Sequence, residues 1–194
     1  VFEEDTLVVC EYIKRAFEVM GVFADIESKH YDAIVALKDA KVNTCIDLPH
    51  KIVVGRTYQG LKFFKKQETK VNDMEHNFVI GSLEIEGVGV IETSLVSAEE
   101  VVYGEGVLYV DHDKISTDAV WRTRRIGDMF AKFGTGSKKL NDYFTDKKIE
   151  NLIRDKIPVL ASSNQIMVVA GEDISENVKI DGETEQIVAI KFVH

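Results

Sequence analysis

Cysteine and proline are scarce in this chain of 194 residues, with two of each. Cys10 and Cys45 lie 35 positions apart and neither has a His or Cys beside it at metal-ligand spacing. That excludes a disulfide framework and a structural zinc site, and both are expected to be reduced core residues. The five histidines, His30, His50, His76, His112 and His194, are scattered singly, so spacing assembles no metal or catalytic cluster. No Ser-His-Asp, Cys-His or paired-carboxylate arrangement can be argued, and the expectation is no catalytic residue and no metal ligand in these residues. No run of about 18 apolar residues occurs, and the N-terminus lacks the charged-then-apolar pattern of a secretory signal. A soluble, cytoplasmic chain with no membrane partner is expected.

What is present is ordinary in bulk: 45% apolar and 29% charged residues, the usage of folded globular proteins. The length suits two small domains. The chain opens on Val1 followed by Phe2-Glu3-Glu4-Asp5, which reads as the middle of a longer protein. The net charge of −9 argues at first against a nucleic-acid partner, but the distribution is uneven. Positions 119 to 160 hold ten Lys or Arg against five acids, a local +5, while the rest carries fourteen basic and twenty-eight acidic residues. This basic island is either a solvated charged face or an anion-binding patch, and its composition leaves both open.

The apolar spacing predicts an α+β fold of two small domains. In the first, over 1–70, Leu7, Cys10, Ile13, Phe17 and Met20 mark a helix from Thr6 to Met20, with Asp5 or Thr6 as cap and Gly21 as stop. A second helix is expected over 26–40 with Asp25 as cap, making a helical hairpin. Short runs at 45–48, 51–58 and 61–65, punctuated by Pro49 and Gln59-Gly60, predict a β-meander. The polar stretch 67–77 reads as a linker. The second domain, 71–194, is expected to be mainly antiparallel β, with strands at 78–85, 87–94, 106–111, 119–125, 158–160, 165–170 and 185–192. It also holds one or two short helices over 138–148, capped by Ser137, and 150–156.

Two stretches of the island carry candidate chemistry. Gly134-Thr135-Gly136-Ser137-Lys138-Lys139 precedes a predicted helix, where backbone N–H groups can hold a phosphate, although its spacing is not that of a Walker loop. A flexible turn with two solvated lysines fits equally. In Trp121-Arg122-Thr123-Arg124-Arg125 strand alternation would put Arg122 and Arg124 on one face, able to fork onto neighbouring phosphates or to pair with acids elsewhere.

Taken together, Trp121 to Phe130, Gly134 to Leu140, Asp146-Lys147-Lys148-Ile149 and Arg154 to Leu160 closely resemble the C-terminal domain of tRNA(Ile)-lysidine synthetases. The apolar strand Ile166 to Gly171 and Ile174-Ser175 complete the pattern. The first half resembles the family's middle domain more weakly, through the two helices, Ile46-Asp47-Leu48-Pro49, Val54, Arg56 and Tyr58. Two departures are visible: Glu150 stands where the family usually has Pro, and Val168-Val169 replaces a common Trp-Val.

The resemblance implies an enzyme that adenylates the wobble cytidine of tRNA(Ile) with ATP and joins lysine to it. ATP, with Mg, would bind an N-terminal catalytic domain carrying a Ser-Gly-Gly-x-Asp-Ser loop, a motif these residues lack. The implied role of this chain is non-catalytic, with that N-terminal domain and tRNA(Ile) as partners and a homodimer as a further option. Expected RNA contacts are Arg122, Arg124, Arg125, Gly134, Gly136, Ser137, Lys138, Lys139, Lys147, Lys148 and Arg154. A module that only packs on a catalytic domain or partner subunit is the alternative, with Trp121, Phe130 and Phe133 forming its interface.

Overall fold

Apolar spacing sets the first elements. In the computed structural model, which describes residues 6–66, 75–104 and 106–193, helix α1 (Thr6–Val19) buries Val9, Ile13 and Phe17 at four-residue intervals. It ends where Gly21 adopts φ +72° and Val22 N–H returns to Phe17 O at 2.9 Å, the left-handed cap a glycine permits. Helix α2 (Ser28–Ala36) is shorter than the expected 26–40 and continues as a 3-10 turn, Leu37–Asp39. Its cap is not Asp25, which takes φ +64°, but Glu27, whose N–H donates to His30 Nδ1 at 2.9 Å. The expected cap Asp5 lies outside the described residues.

The meander follows as strands β1 (Cys45–Leu48), β2 (Ile52–Arg56) and β3 (Leu61–Lys65), all antiparallel. Thr57 fixes the turn before β3: its hydroxyl oxygen accepts from Gln59 N–H and Gly60 N–H at 3.3 and 3.2 Å. Phe17 meets Tyr31 and Phe63 edge to face, closing a core of α1, α2 and β2. Both cysteines are free, but Cys45 is exposed on β1 and is not a core residue; Cys10 is half-buried. Residues 150–152 group with this unit, and Lys62 Nζ lies 3.2 Å from Glu150 Oε2. Positions 67–74 of the expected linker lie outside the described residues.

The second unit, 69–149 with 153–194, is a pair of sheets. Strands β4 (Glu75–Asn77), β5 (Gly81–Ile85), β6 (Gly89–Val96) and β7 (Val107–Asp111) come first. Then follow β8 (Val120–Arg122), β9 (Met129–Lys132) and β10 (Gly136–Lys139). Helices α3 (Leu140–Asp146) and α4 (Asn151–Arg154) precede β11 (Val159–Ser162), β12 (Gln165–Val169), β13 (Asp173–Ile174) and β14 (Ile187–Val193). One sheet has the order β5-β6-β14-β7; the other runs β10-β9-β12-β11-β8-β4, with β13 on β12. All named pairings are antiparallel except β9 with β12, and the architecture is α+β.

Both faces of the larger sheet are covered. Trp121, Leu160 and Val168 pack with Ile91, Val110 and Val188 of the smaller sheet. Val159, Ala161 and Ile166 pack on the other side with Leu140, Tyr143 and Phe144 of α3. That explains why 157–161 and 166–170 are unbroken apolar runs rather than alternating ones. Three expectations change here. The strand expected over 119–125 stops at Arg122, the Gly134 stretch is the turn of the β9–β10 hairpin, and Ser137 lies in β10, so Lys139 occupies the position before α3.

Candidate nucleic-acid interface

The two most buried cations of the island are structural. Arg122 is 1% exposed and meets Asp128 in a bidentate pair, Nη1 to Oδ2 at 2.9 Å and Nη2 to Oδ1 at 2.7 Å. It also donates to Thr123 O at 2.9 Å and Ser163 O at 2.8 Å. A charge enclosed on a central strand, with β4 on one side and β11 on the other, requires such a partner. Arg154 is likewise enclosed, donating to Ile149 O at 2.9 Å and lying 5.7 Å from the Phe144 ring centre. Arg122 and Arg154 are therefore corrections to the expected RNA contacts: neither guanidinium faces solvent.

The pair shapes what comes next. Asp128 Oδ2 also accepts from Arg125 N–H at 2.7 Å, and Asp128 O accepts from Leu140 N–H at 2.8 Å. Gly127 takes φ +94°, a conformation that side chains disfavour, and its carbonyl accepts from Asn164 Nδ2 at 3.4 Å. Loop 123–128 is thus held from the chain before it, from the start of α3 and from the β11–β12 turn. It presents Arg124, Arg125 and the fully exposed Ile126 over a depression of about 250 Å³, which Gly127, Lys139 and Asn141 also line.

Of the expected contacts, Arg124, Arg125 and Lys139 share this depression. Arg124 is oriented by Asp155 at 2.8 Å and Asn141 at 2.6 Å; Arg125 reaches Glu75 at 2.7 Å. The Arg125 pair is exposed on both sides, the kind that a phosphate can displace, whereas Arg124 is half-buried against an exposed Asp155. Lys139 is exposed and has no ion-pair partner among the described residues. Lys138 bonds Asp146 at 2.6 Å and holds that carboxyl below its usual range, tying β10 to the end of α3.

The remaining positions are spread over the surface of the unit. Lys147 lies 3.3 Å from Asp173 and over the Tyr143 ring, and Lys148 is exposed with φ +57°. Gly136 and Ser137 are exposed on β10. Gly134 N–H already has an anion: Glu176 Oε2 accepts it at 3.2 Å. The Glu176 carboxyl is held low, first by Lys179 and then by that N–H. The expected phosphate cradle before a helix is therefore a hairpin turn with a carboxylate on its first amide.

A larger depression of about 460 Å³ is lined by Val88, Ile153, Ile157 and Phe192. Its lining is mostly apolar, unlike the basic one. Of the aromatics proposed for a protein interface, Trp121 and Phe130 are core residues, and Phe133 alone is exposed. Among the described residues no group of three His, Cys, Asp or Glu is placed to hold a metal ion, and no helix is long and apolar enough to cross a membrane.

A braced basic loop above a shallow depression thus sits on a two-sheet α+β unit. Residues 119–190 match the family described as the TilS substrate C-terminal domain. The chain is 33% identical to a tRNA(Ile)-lysidine synthase of Caldanaerobacter subterraneus over 91% of its own length and 39% of that protein's. It is 31% identical to one of Clostridium acetobutylicum over 98% of its length and 43% of that protein's. The chain thus spans about two fifths of the length of these relatives. A solved structure, that of a TILS C-terminal domain, shares the fold with a TM-score of 0.53 at 22% identity, covering 61% of this chain and 95% of that one.

Proposed function

We propose that this chain is the tRNA-recognition portion of a tRNA(Ile)-lysidine synthetase, gripping tRNA(Ile) while a catalytic domain elsewhere in the enzyme uses ATP to join lysine to the wobble cytidine. The similarity to tRNA(Ile)-lysidine synthases supports the enzyme. The observation that carries the role is the braced loop, which sets Arg124 and Arg125 beside Lys139 over one concave surface. Two guanidiniums and an ammonium at fixed spacing suit the phosphates of an RNA backbone, and the exposed Arg125–Glu75 pair exchanges at little cost. Catalysis is assigned to none of these residues, and the ATP and Mg of the reaction belong to the catalytic domain.

Filter-binding titrations of the chain with a tRNA(Ile) transcript, from roughly 50 to 200 mM salt, test the reading. Saturable binding that weakens steeply with salt is expected, and an Arg124→Ala, Lys139→Ala double variant should lower the salt slope by about 2. An unchanged slope removes the site; no salt-sensitive binding by the wild type removes the function and leaves a domain-packing module.

A further inference from the structure

Single exposed apolar residues are common on protein surfaces, so exposure by itself argues nothing. Ile126 differs in its surroundings. The residue is fully exposed, and the loop beneath it is held by Arg122, Asp128, Leu140 N–H and Asn164. Arg124 and Arg125 precede it directly, and Lys139 shares the depression it overhangs. An apolar protein surface docking on Ile126 would strip water from Lys139 while offering it no partner, and from the ion pairs of Arg124 and Arg125. A nucleic acid has the complementary pattern: charged phosphates, and between them ribose and base edges against which a branched aliphatic side chain can pack.

We infer that Ile126 is an apolar reader of the bound RNA, packing on ribose and base edges in the wide, shallow minor groove of a paired stem while Arg124, Arg125 and Lys139 hold the flanking phosphates. The inference rests on the RNA-binding reading and adds a contact that is not electrostatic. Arg122 and Asp128 act through the loop as positioning residues. Because the loop is already fixed, little ordering is needed when RNA arrives.

The salt dependence separates this contact from a phosphate contact. Binding of the tRNA(Ile) transcript would be measured for the wild-type chain, Ile126→Ala, Arg124→Ala and Val102→Ala at several salt concentrations. An apolar contact releases no counterions, so Ile126→Ala is expected to weaken binding by about five- to tenfold at every salt concentration with the slope unchanged. Arg124→Ala should flatten the slope by about 1. Val102, also exposed but on the segment before β7, should be silent when truncated. The fluorescence of Trp121, the single tryptophan and a core residue, reports that each variant is folded. Wild-type affinity for Ile126→Ala overturns the inference and leaves the RNA-binding reading standing, and a loss accompanied by a flatter slope overturns it too. If the wild type itself shows no salt-sensitive binding, the underlying reading fails and takes this one with it.

Discussion

Arg122 and Arg124 are two positions apart and of one chemical type, yet one is a core residue and the other a surface residue. Alternation along a strand would have put them side by side. It fails because pairing with β4 and β11 ends at Arg122, after which the chain turns toward Asp128. Asp128 counted in the sequence as an acid diluting the island, when it is the group that makes Arg122 tolerable inside. Removing one member of such a pair leaves an uncompensated buried charge. Arg122→Leu is therefore expected to lower stability by about 3–5 kcal/mol, and Arg122→Leu with Asp128→Leu by clearly less than the sum of the two single changes. Urea unfolding followed by Trp121 fluorescence measures both, and additive losses would mean the pair is not coupled as its 2.7 and 2.9 Å contacts indicate.

At the level of elements, two glycines with left-handed backbones separate local preference from packing. Gly134 has φ +68° and open space where a Cβ would stand, so Gly134→Ala carries only the backbone preference, about 1–2 kcal/mol. Gly89 has φ +147°, and a Cβ there would fall 2.3 Å from Val193 O on the neighbouring strand. Gly89→Ala must displace β14 from β6 and is expected to lose about 2–4 kcal/mol, with a lower urea midpoint than Gly134→Ala. Equal losses would show that the β6–β14 edge yields freely.

The same contrast marks what the sequence made legible. Helix α1, the meander and the long strands of the smaller sheet follow periodicity and turn residues, which act locally. Strands β9 and β10 did not show, because four residues each are too few for a pattern and β9 is completed by a parallel partner, β12, that lies far along the chain. Of the proposed site, Arg124, Arg125 and Lys139 stand out in the sequence by charge. Ile126 does not stand out, because nothing local distinguishes a presented apolar side chain from a buried one.

Across the whole molecule the charge is divided: +5 in 119–160 against fourteen basic and twenty-eight acidic residues elsewhere. A net charge of −9 repels a polyanion at long range, and only within about a Debye length, roughly 8–10 Å, does the local basic surface prevail. The acidic remainder should then act on selectivity more than on affinity. On the proposed reading, RNA seated on the basic loop would feel the acids elsewhere through screening, whereas RNA sampling other faces would meet them directly. Glu84, Glu86 and Glu92 are exposed on or beside β5 and β6, and changing all three to Gln is a test. Binding of tRNA(Ile) is expected to strengthen by about twofold at roughly 50 mM salt, and binding of a homopolymeric RNA by several times more, so that the preference for tRNA narrows. Raising the salt to about 200 mM should remove most of the difference between variant and wild type, since the effect is carried by exposed charge. An unaltered preference at low salt would mean that discrimination resides in contacts at the loop, such as Ile126, and not in the field of the rest of the protein.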